Sequence, residues 1–217
     1  MNRRPPILAV VLLPFLISTM NAGAAGPAPA SGRTGLASPQ SFSAIKDPQQ
    51  RSAAYFTELS KVLTHARCVN CHPSGNSPRQ GDTRRLHQPP VIGGADGFGV
   101  GGMRCNSCHQ DTNFDPGRMP GHANWHLAPR EMGWEGKTVS EICAQIKDPK
   151  RNGNRSLNDV VKHIGGDSLV GWAWEPGFGR EPAPGTQQEA GALAMAWVDS
   201  GASCPASSSA GLVVNHH

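Results

Sequence analysis

Two pentads, Cys68-Val69-Asn70-Cys71-His72 and Cys105-Asn106-Ser107-Cys108-His109, carry the residue types and spacing of covalent c-type haem attachment. Two thiols three positions apart lie on one helical turn, where each can form a thioether to a haem vinyl group. The residue that follows turns its imidazole onto the iron, so His72 and His109 are the expected proximal ligands of two covalently bound haems. A four-cysteine zinc site is the competing chemistry. Zinc ribbons separate their cysteine pairs by roughly 15–20 residues, whereas Cys71 and Cys105 lie further apart and each pair is followed by a histidine. Four thiolates satisfy zinc without those histidines. A thioredoxin-like redox pair needs a βαβ context that neither motif has.

The second axial ligand decides between carrying electrons and doing chemistry. Haem iron with His/His or His/Met ligation passes electrons, while an open position admits peroxide, oxygen or another small ligand. His87 and His126 are the favoured distal ligands, because each follows a motif histidine within a proline-containing loop that could fold over a haem face. His65, on the helix feeding the first motif, and His163, beside an apolar helix face, are the runners-up. Met119 and Met132 are the sulfur alternatives. Against each stands the ordinary role of its type, a surface or hydrogen-bonded histidine or a core-filling methionine. Which ligand faces which iron does not follow from the sequence.

The elements that must position these groups are short helices. Asp47-Pro48 is a helix start, and Tyr55, Phe56, Leu59, Val62, Leu63 and Ala66 recur at helical spacing, predicting a helix that delivers Cys68. Residues 73–102 are rich in Gly and Pro, too irregular for a long helix or a central strand, and are expected to wrap haem surfaces. Within them Gly97-Phe98-Gly99-Val100-Gly101-Gly102 approximates a dinucleotide fingerprint without the strand that should precede it, and reads as a flexible loop. Three capping boxes follow, Thr138 with Glu141, Ser156 with Asp159 and Thr186 with Glu189, each opening a helix. Gly165-Gly166 and Gly201 are expected to end two of them. The expectation is a mostly α fold, loop-rich, with little or no β-sheet, over residues 47–205.

Cys143 and Cys204 remain once the motif thiols are assigned. In an oxidising compartment this pair is expected to form a structural disulfide. That compartment is indicated by the N-terminus, where Arg3 and Arg4 precede an apolar run from Ile7 to Ile17 and then Ala22-Gly23-Ala24, the pattern of a secretory signal over residues 1–24. The run is far shorter than the ~20 residues needed to span a bilayer, so no transmembrane anchor is expected and the mature protein should be periplasmic. Residues 25–46 read as a flexible leader and 206–217 as a frayed tail.

Composition agrees with haem burial. Only 37% of the chain is hydrophobic, and it holds 26 Gly and 19 Pro. Its apolar residues make a thin core for this length, which two buried porphyrins would thicken. The formal charge is +4, but Arg3 and Arg4 leave with the signal and four propionates would reverse the sign, so the charge gives no reason to expect nucleic acid. Arg67 and Arg104, beside the motifs, are candidates to pair with propionates.

The stretch Asn124-Trp125-His126-Leu127-Ala128-Pro129, with Met132, Trp134-Glu135-Gly136-Lys137 and Cys143 beyond it, resembles a family of small exported dihaem cytochromes c, sometimes labelled as subunits of isoquinoline 1-oxidoreductase, a molybdenum hydroxylase. The resemblance spans about residues 50–205, including Trp172-Ala173-Trp174-Glu175-Pro176-Gly177 and Gly201-Ala202-Ser203-Cys204-Pro205. It implies an electron-transfer protein rather than an enzyme, taking electrons from a periplasmic dehydrogenase and passing them to a soluble cytochrome or terminal oxidase. This chain carries no molybdopterin or iron–sulfur signature of its own. The second class to weigh is a haem enzyme, a peroxidase or small-ligand reductase, with one iron left open.

Overall fold

The computed structural model describes residues 35–207. The expected signal peptide, residues 25–34 of the leader, and the tail from residue 208 with His216 and His217 lie outside the described residues.

Helix α1 (Pro48–Leu63) starts as its sequence requires, with the Asp47 carboxylate accepting from Gln50 N at 2.8 Å and Pro48 in the first turn. Its apolar stripe puts Phe56, Leu59, Val62 and Leu63 in the core. Thr64 and His65 then turn the chain into α2 (Ala66–Val69), which carries Cys68. All three capping boxes form, with reciprocal hydrogen bonds, at the starts of α3 (Val139–Lys147), α4 (Leu157–Gly166) and α6 (Gln187–Asp199). The short α5 (Ser168–Gly171) is capped by Asp167, which accepts from Leu169 N and Val170 N. The fold is therefore mostly helical. Among the described residues, strands are limited to two antiparallel pairs of two residues each, β1 (Arg79–Gln80) with β2 (Arg85–Leu86) and β3 (Gly99–Val100) with β4 (Met103–Arg104).

The core is where α1, α3, α4 and α6 meet. Trp197 and Phe56 are fully buried with ring centroids 4.9 Å apart, and Trp197 Nε1 donates to Ser203 O. Ser52 Oγ donates to Trp197 O and accepts from Ser203 N, so one hydroxyl ties α1 to the end of α6. Cys143 on α3 is disulfide-bonded to Cys204 just past α6, as expected from the two leftover cysteines. No helix among the described residues is long and apolar enough to cross a membrane.

Three details depart from the sequence reading. The packed chain begins before residue 47, because Leu36 is in the core, Phe42 meets Tyr55 edge-to-face at 5.3 Å, and Ala37 N donates to Glu58 Oε1. Apolar contact and one buried-end hydrogen bond outweigh a Gly/Pro/Ser-rich composition there. Gly165-Gly166 are the last two residues of α4, as expected, but neither adopts the left-handed conformation of a glycine cap. A Cβ on Gly165 would come within 2.9 Å of Gly191 Cα, so the glycine serves the close crossing of α4 and α6. Gly201, at φ +99°, does end α6 in the left-handed manner expected. The glycines of residues 97–102 build the β3–β4 hairpin rather than a loose loop, and Gly97 O accepts from Leu127 N at 3.0 Å.

Candidate functional site

Both pentads fold into the same single turn. His72 N donates to Cys68 O at 3.0 Å and Cys71 N to Cys68 O at 3.1 Å; His109 N donates to Cys105 O at 2.9 Å and Cys108 N to Cys105 O at 3.2 Å. The turn is α-helical in the first motif and a 3-10 turn (Cys105–Ser107) in the second. All four thiols are free. Burial pushes the Cys68 thiol up to about 12, with Cys71 adding to it, and the Cys71 thiol up to about 11. Burial also raises Cys105. Among the described residues no group of three or more His, Cys, Asp or Glu side chains is arranged to hold a metal ion.

The motif histidines are oriented by backbone carbonyls. His72 Nδ1 donates to Met132 O at 2.7 Å, and His109 Nδ1 donates to Pro120 O at 2.8 Å. A carbonyl can only accept, so Nδ1 carries the proton in both rings. Packing around His72 lowers its pKa to about 4, outweighing the Met132 bond, and desolvation lowers His109 as well. Both rings are therefore neutral near pH 7, with the Nε2 lone pair left as donor to a metal. This is the arrangement by which a metal-ligating histidine is held in one tautomer by an outer partner. Each ring is also stacked on an indole, His72 on Trp134 at 3.5 Å and 6°, and His109 on Trp125 at 4.7 Å and 17°.

The segment 127–135 fixes the first motif. Cys71 O accepts from Ala128 N, and His72 O accepts from Trp134 N at 2.8 Å and Glu135 N at 3.3 Å. Glu135 closes the clamp by accepting from Ser74 N and Ser74 Oγ and pairing with Arg79 at 2.9 Å. These contacts outweigh burial and hold its carboxyl below the usual range.

Tautomers sort the remaining histidines. His65 caps α2, its Nδ1 accepting from Arg67 N, and His122 Nδ1 accepts from Asn124 N while its Nε2 faces Ser168 Oγ. Both rings must carry the proton on Nε2, the wrong form for an Nε2 ligand. His87, His126 and His163 have the opposite form, with Nδ1 bonded to Pro89 O at 2.8 Å, Asn124 O at 2.5 Å and Asp167 Oδ2 at 3.3 Å. His87 lies beside His109, not His72, with ring centroids 5.9 Å apart. His126 stacks on Phe98 at 4.7 Å. His163 is close enough for its charge to lower His72 and to be lowered in turn by His126. Met132 presents its carbonyl to His72, and its side chain is buried in the core. Met119 lines the cavity described next.

A cavity of about 300 Å³ joins the motifs, lined by Cys71 from the first and Cys105, Cys108 and His109 from the second. That size lies at the lower end of the ~300–1,000 Å³ common for ligand sites. His87 and His126 also line it, and its apolar wall includes Val91, Leu127, Trp125 and Trp172. Ile92 and Met103, large apolar side chains with much of their surface exposed, are part of the same wall. Six arginines, Arg67, Arg79, Arg85, Arg104, Arg118 and Arg180, surround it. Arg67 is buried and pairs with Asp82, and its Nε has no hydrogen-bond partner. Arg104 instead pairs with Asp96 at 2.9 Å on the surface. Apolar walls, cationic rim, free thiols and neutral Nε2 donors fit a flat, apolar, acidic metal macrocycle.

Sequence reasoning missed Trp125 and Trp134 as ring supports, and Met132 and Pro120 as carbonyl partners. The indoles were visible in the sequence, Trp125 beside His126 and Trp134 beyond it, but nothing there tied either to a motif histidine; the carbonyls have no side-chain signal at all. No family model, no curated protein and no solved structure matches this chain.

Proposed function

We propose that this chain is an exported, periplasmic dihaem c-type cytochrome that passes electrons between protein partners. Cys68 and Cys71 would hold one haem and Cys105 and Cys108 the other, with His72 and His109 as axial ligands. The observation that carries this reading is the orientation of the two motif histidines, each with Nδ1 on a backbone carbonyl and Nε2 free, beside paired free thiols. Bound haem supplies one-electron chemistry, its iron alternating between ferric and ferrous.

The chain's own residues would bind and insulate the group. Trp134 and Trp125 fix the ring planes of the two histidines, and with haem bound the indole and aliphatic wall of the cavity would limit the access of water. Arg67, with an unpartnered buried Nε, would receive a propionate, an exchange that removes the cost of an orphan donor. The cavity is common to Cys71 and the second motif, which supports closely spaced haems and electron passage between them. The donor we propose is a periplasmic dehydrogenase of the molybdenum hydroxylase type, and the acceptor a soluble cytochrome or terminal oxidase.

A haem enzyme with an open iron is the second reading. It is favoured by one asymmetry: both motif histidines are stacked on an indole, but His109 also has the His87 imidazole at 5.9 Å, and among the described residues no imidazole ring is stacked on or edged against His72. Ferric and ferrous absorbance spectra of the purified protein, with and without carbon monoxide, separate the two. Two low-spin haems indifferent to carbon monoxide are expected of the carrier; a high-spin component that binds carbon monoxide would move the enzyme ahead.

A further inference from the structure

In the sequence His87 follows His72 and His126 follows His109, an order that leaves open which iron each would face. The structure places His87 next to His109. His87 is carried past the first motif by the β1–β2 hairpin, where His87 N donates to Pro78 O at 3.3 Å and Gln88 N to Gln80 Oε1 at 2.7 Å. The hairpin delivers its ring to the wall of the cavity that holds His109.

We propose that His87 is the second axial ligand of the iron whose first ligand is His109, an inference that rests on the haem reading above. Three observations converge on it. The two ring centroids are 5.9 Å apart and inclined by 63°. Two imidazoles on opposite sides of one metal stand about 6 Å apart, given metal–nitrogen bonds of about 2 Å and ring centres about 1 Å beyond each nitrogen. Each Nδ1 donates to a proline carbonyl at 2.8 Å, Pro89 for His87 and Pro120 for His109, so each ring has Nε2 as its free donor. Trp125 lies against the face of His109, whereas His87 approaches it in the inclined, edge-type geometry.

The competing residues are placed less well. His126 stacks on Phe98 rather than on a motif histidine. Met119 precedes Pro120, the residue that anchors His109 from its Nδ1 side, and is bridged to Phe114. His65 and His122 have the wrong tautomer.

Such ligation would tie the β1–β2 hairpin to the second motif and make the segment between the pentads a coordinated strap. It would also give that haem His/His ligation, which favours a lower potential than His/Met ligation.

The test uses the full-length protein matured in the periplasm with its haems attached. Wild type should contain two covalent haems, and His87→Ala should keep both while converting one from low to high spin. Added imidazole should restore the low-spin spectrum of that haem. His87→Met, which retains a ligand, should stay low spin and raise the potential of one haem only. In a Cys105→Ala, Cys108→Ala background holding only the first haem, His87→Ala should change nothing. Unaltered spin state and potentials in both His87 variants would overturn the assignment, as would an altered first haem in the single-haem background. Wild-type protein without covalent haem would instead defeat the haem reading itself, so the two failures are distinguishable.

Discussion

The two motifs share one pentad and one hydrogen-bonded turn, yet they sit on opposite kinds of scaffold. The first follows α1, occupies the short helix α2, and is clamped by residues 127–135, of which Met132 and Trp134 belong to the main core. The second occupies a 3-10 turn after the β3–β4 hairpin, with Cys108 exposed and support from the Pro120 carbonyl and Trp125. Spacing alone thus dictates the local turn; what surrounds it is decided by tertiary contact. The consequence is a division of labour in stability, with the first motif coupled to the helical core and the second depending on loops and on whatever those loops bind.

Substitutions in the core should break the first motif and spare the turn of the second. The largest effect is expected from Trp134→Ala, which removes a buried indole and the stack on His72 at a cost of about 3–5 kcal/mol. Denaturant unfolding measures it, and amide exchange should show residues 68–72 opening before residues 105–109; equal opening would merge the two regions. Next comes the pair Cys143→Ser with Cys204→Ser. It lengthens the unconstrained chain by a 61-residue separation and should cost up to about 4 kcal/mol. On the proposed haem reading, covalent haem should remain attached in that variant, which intact mass reports directly.

Smaller effects sharpen the contrast. Gly165→Ala forces a methyl toward Gly191 Cα and should destabilise by about 1–3 kcal/mol through the α4–α6 crossing. Thermal unfolding checks it, and no spectral change at either haem is expected. Trp125→Ala should act at the second motif, costing roughly 0.5–1.5 kcal/mol beyond lost burial for the stack on His109.

The smallest effect of a substitution concerns Glu135 and acid. An unfolded Glu titrates near about 4.3, and Glu135 is held below its usual value in the fold. Its contribution is therefore complete above that pH and is lost as pH falls through the folded value. Glu135→Gln should cost less than about 1 kcal/mol at neutral pH, the carboxylate being partly exposed. Variant and wild type should converge in acid. His72 adds a separate slope in the haem-free chain: the unfolded ring accepts a proton near about 6.5, the folded ring only near about 4. Stability should fall as pH drops between those values, and chemical unfolding across that range measures both terms.

Local signals were legible in the sequence wherever a side chain makes the bond. Asp47, Thr138, Ser156 and Thr186 cap the helices they were expected to cap. The Cys143–Cys204 bond was legible because only two thiols remained outside the pentads. The helix end at Gly165-Gly166 was legible, but the role of Gly165 in the crossing with α6 was not, because a glycine at a crossing and a glycine at a helix end look alike without the opposing helix. The orientation of His72 and His109 was not legible, because the groups that turn them are backbone carbonyls of Met132 and Pro120, which any residue possesses. The neighbour of His87 was likewise hidden, since a two-residue hairpin redirects the chain by hydrogen bonds rather than by composition.

Intact mass spectrometry of the exported protein, denatured to release anything not covalently bound, tests the central claim most directly. The account predicts a mass two haems above the polypeptide, falling by one haem in the Cys105→Ala, Cys108→Ala variant. The bare polypeptide mass, or metal lost on denaturation with all four pentad thiols free, would contradict it.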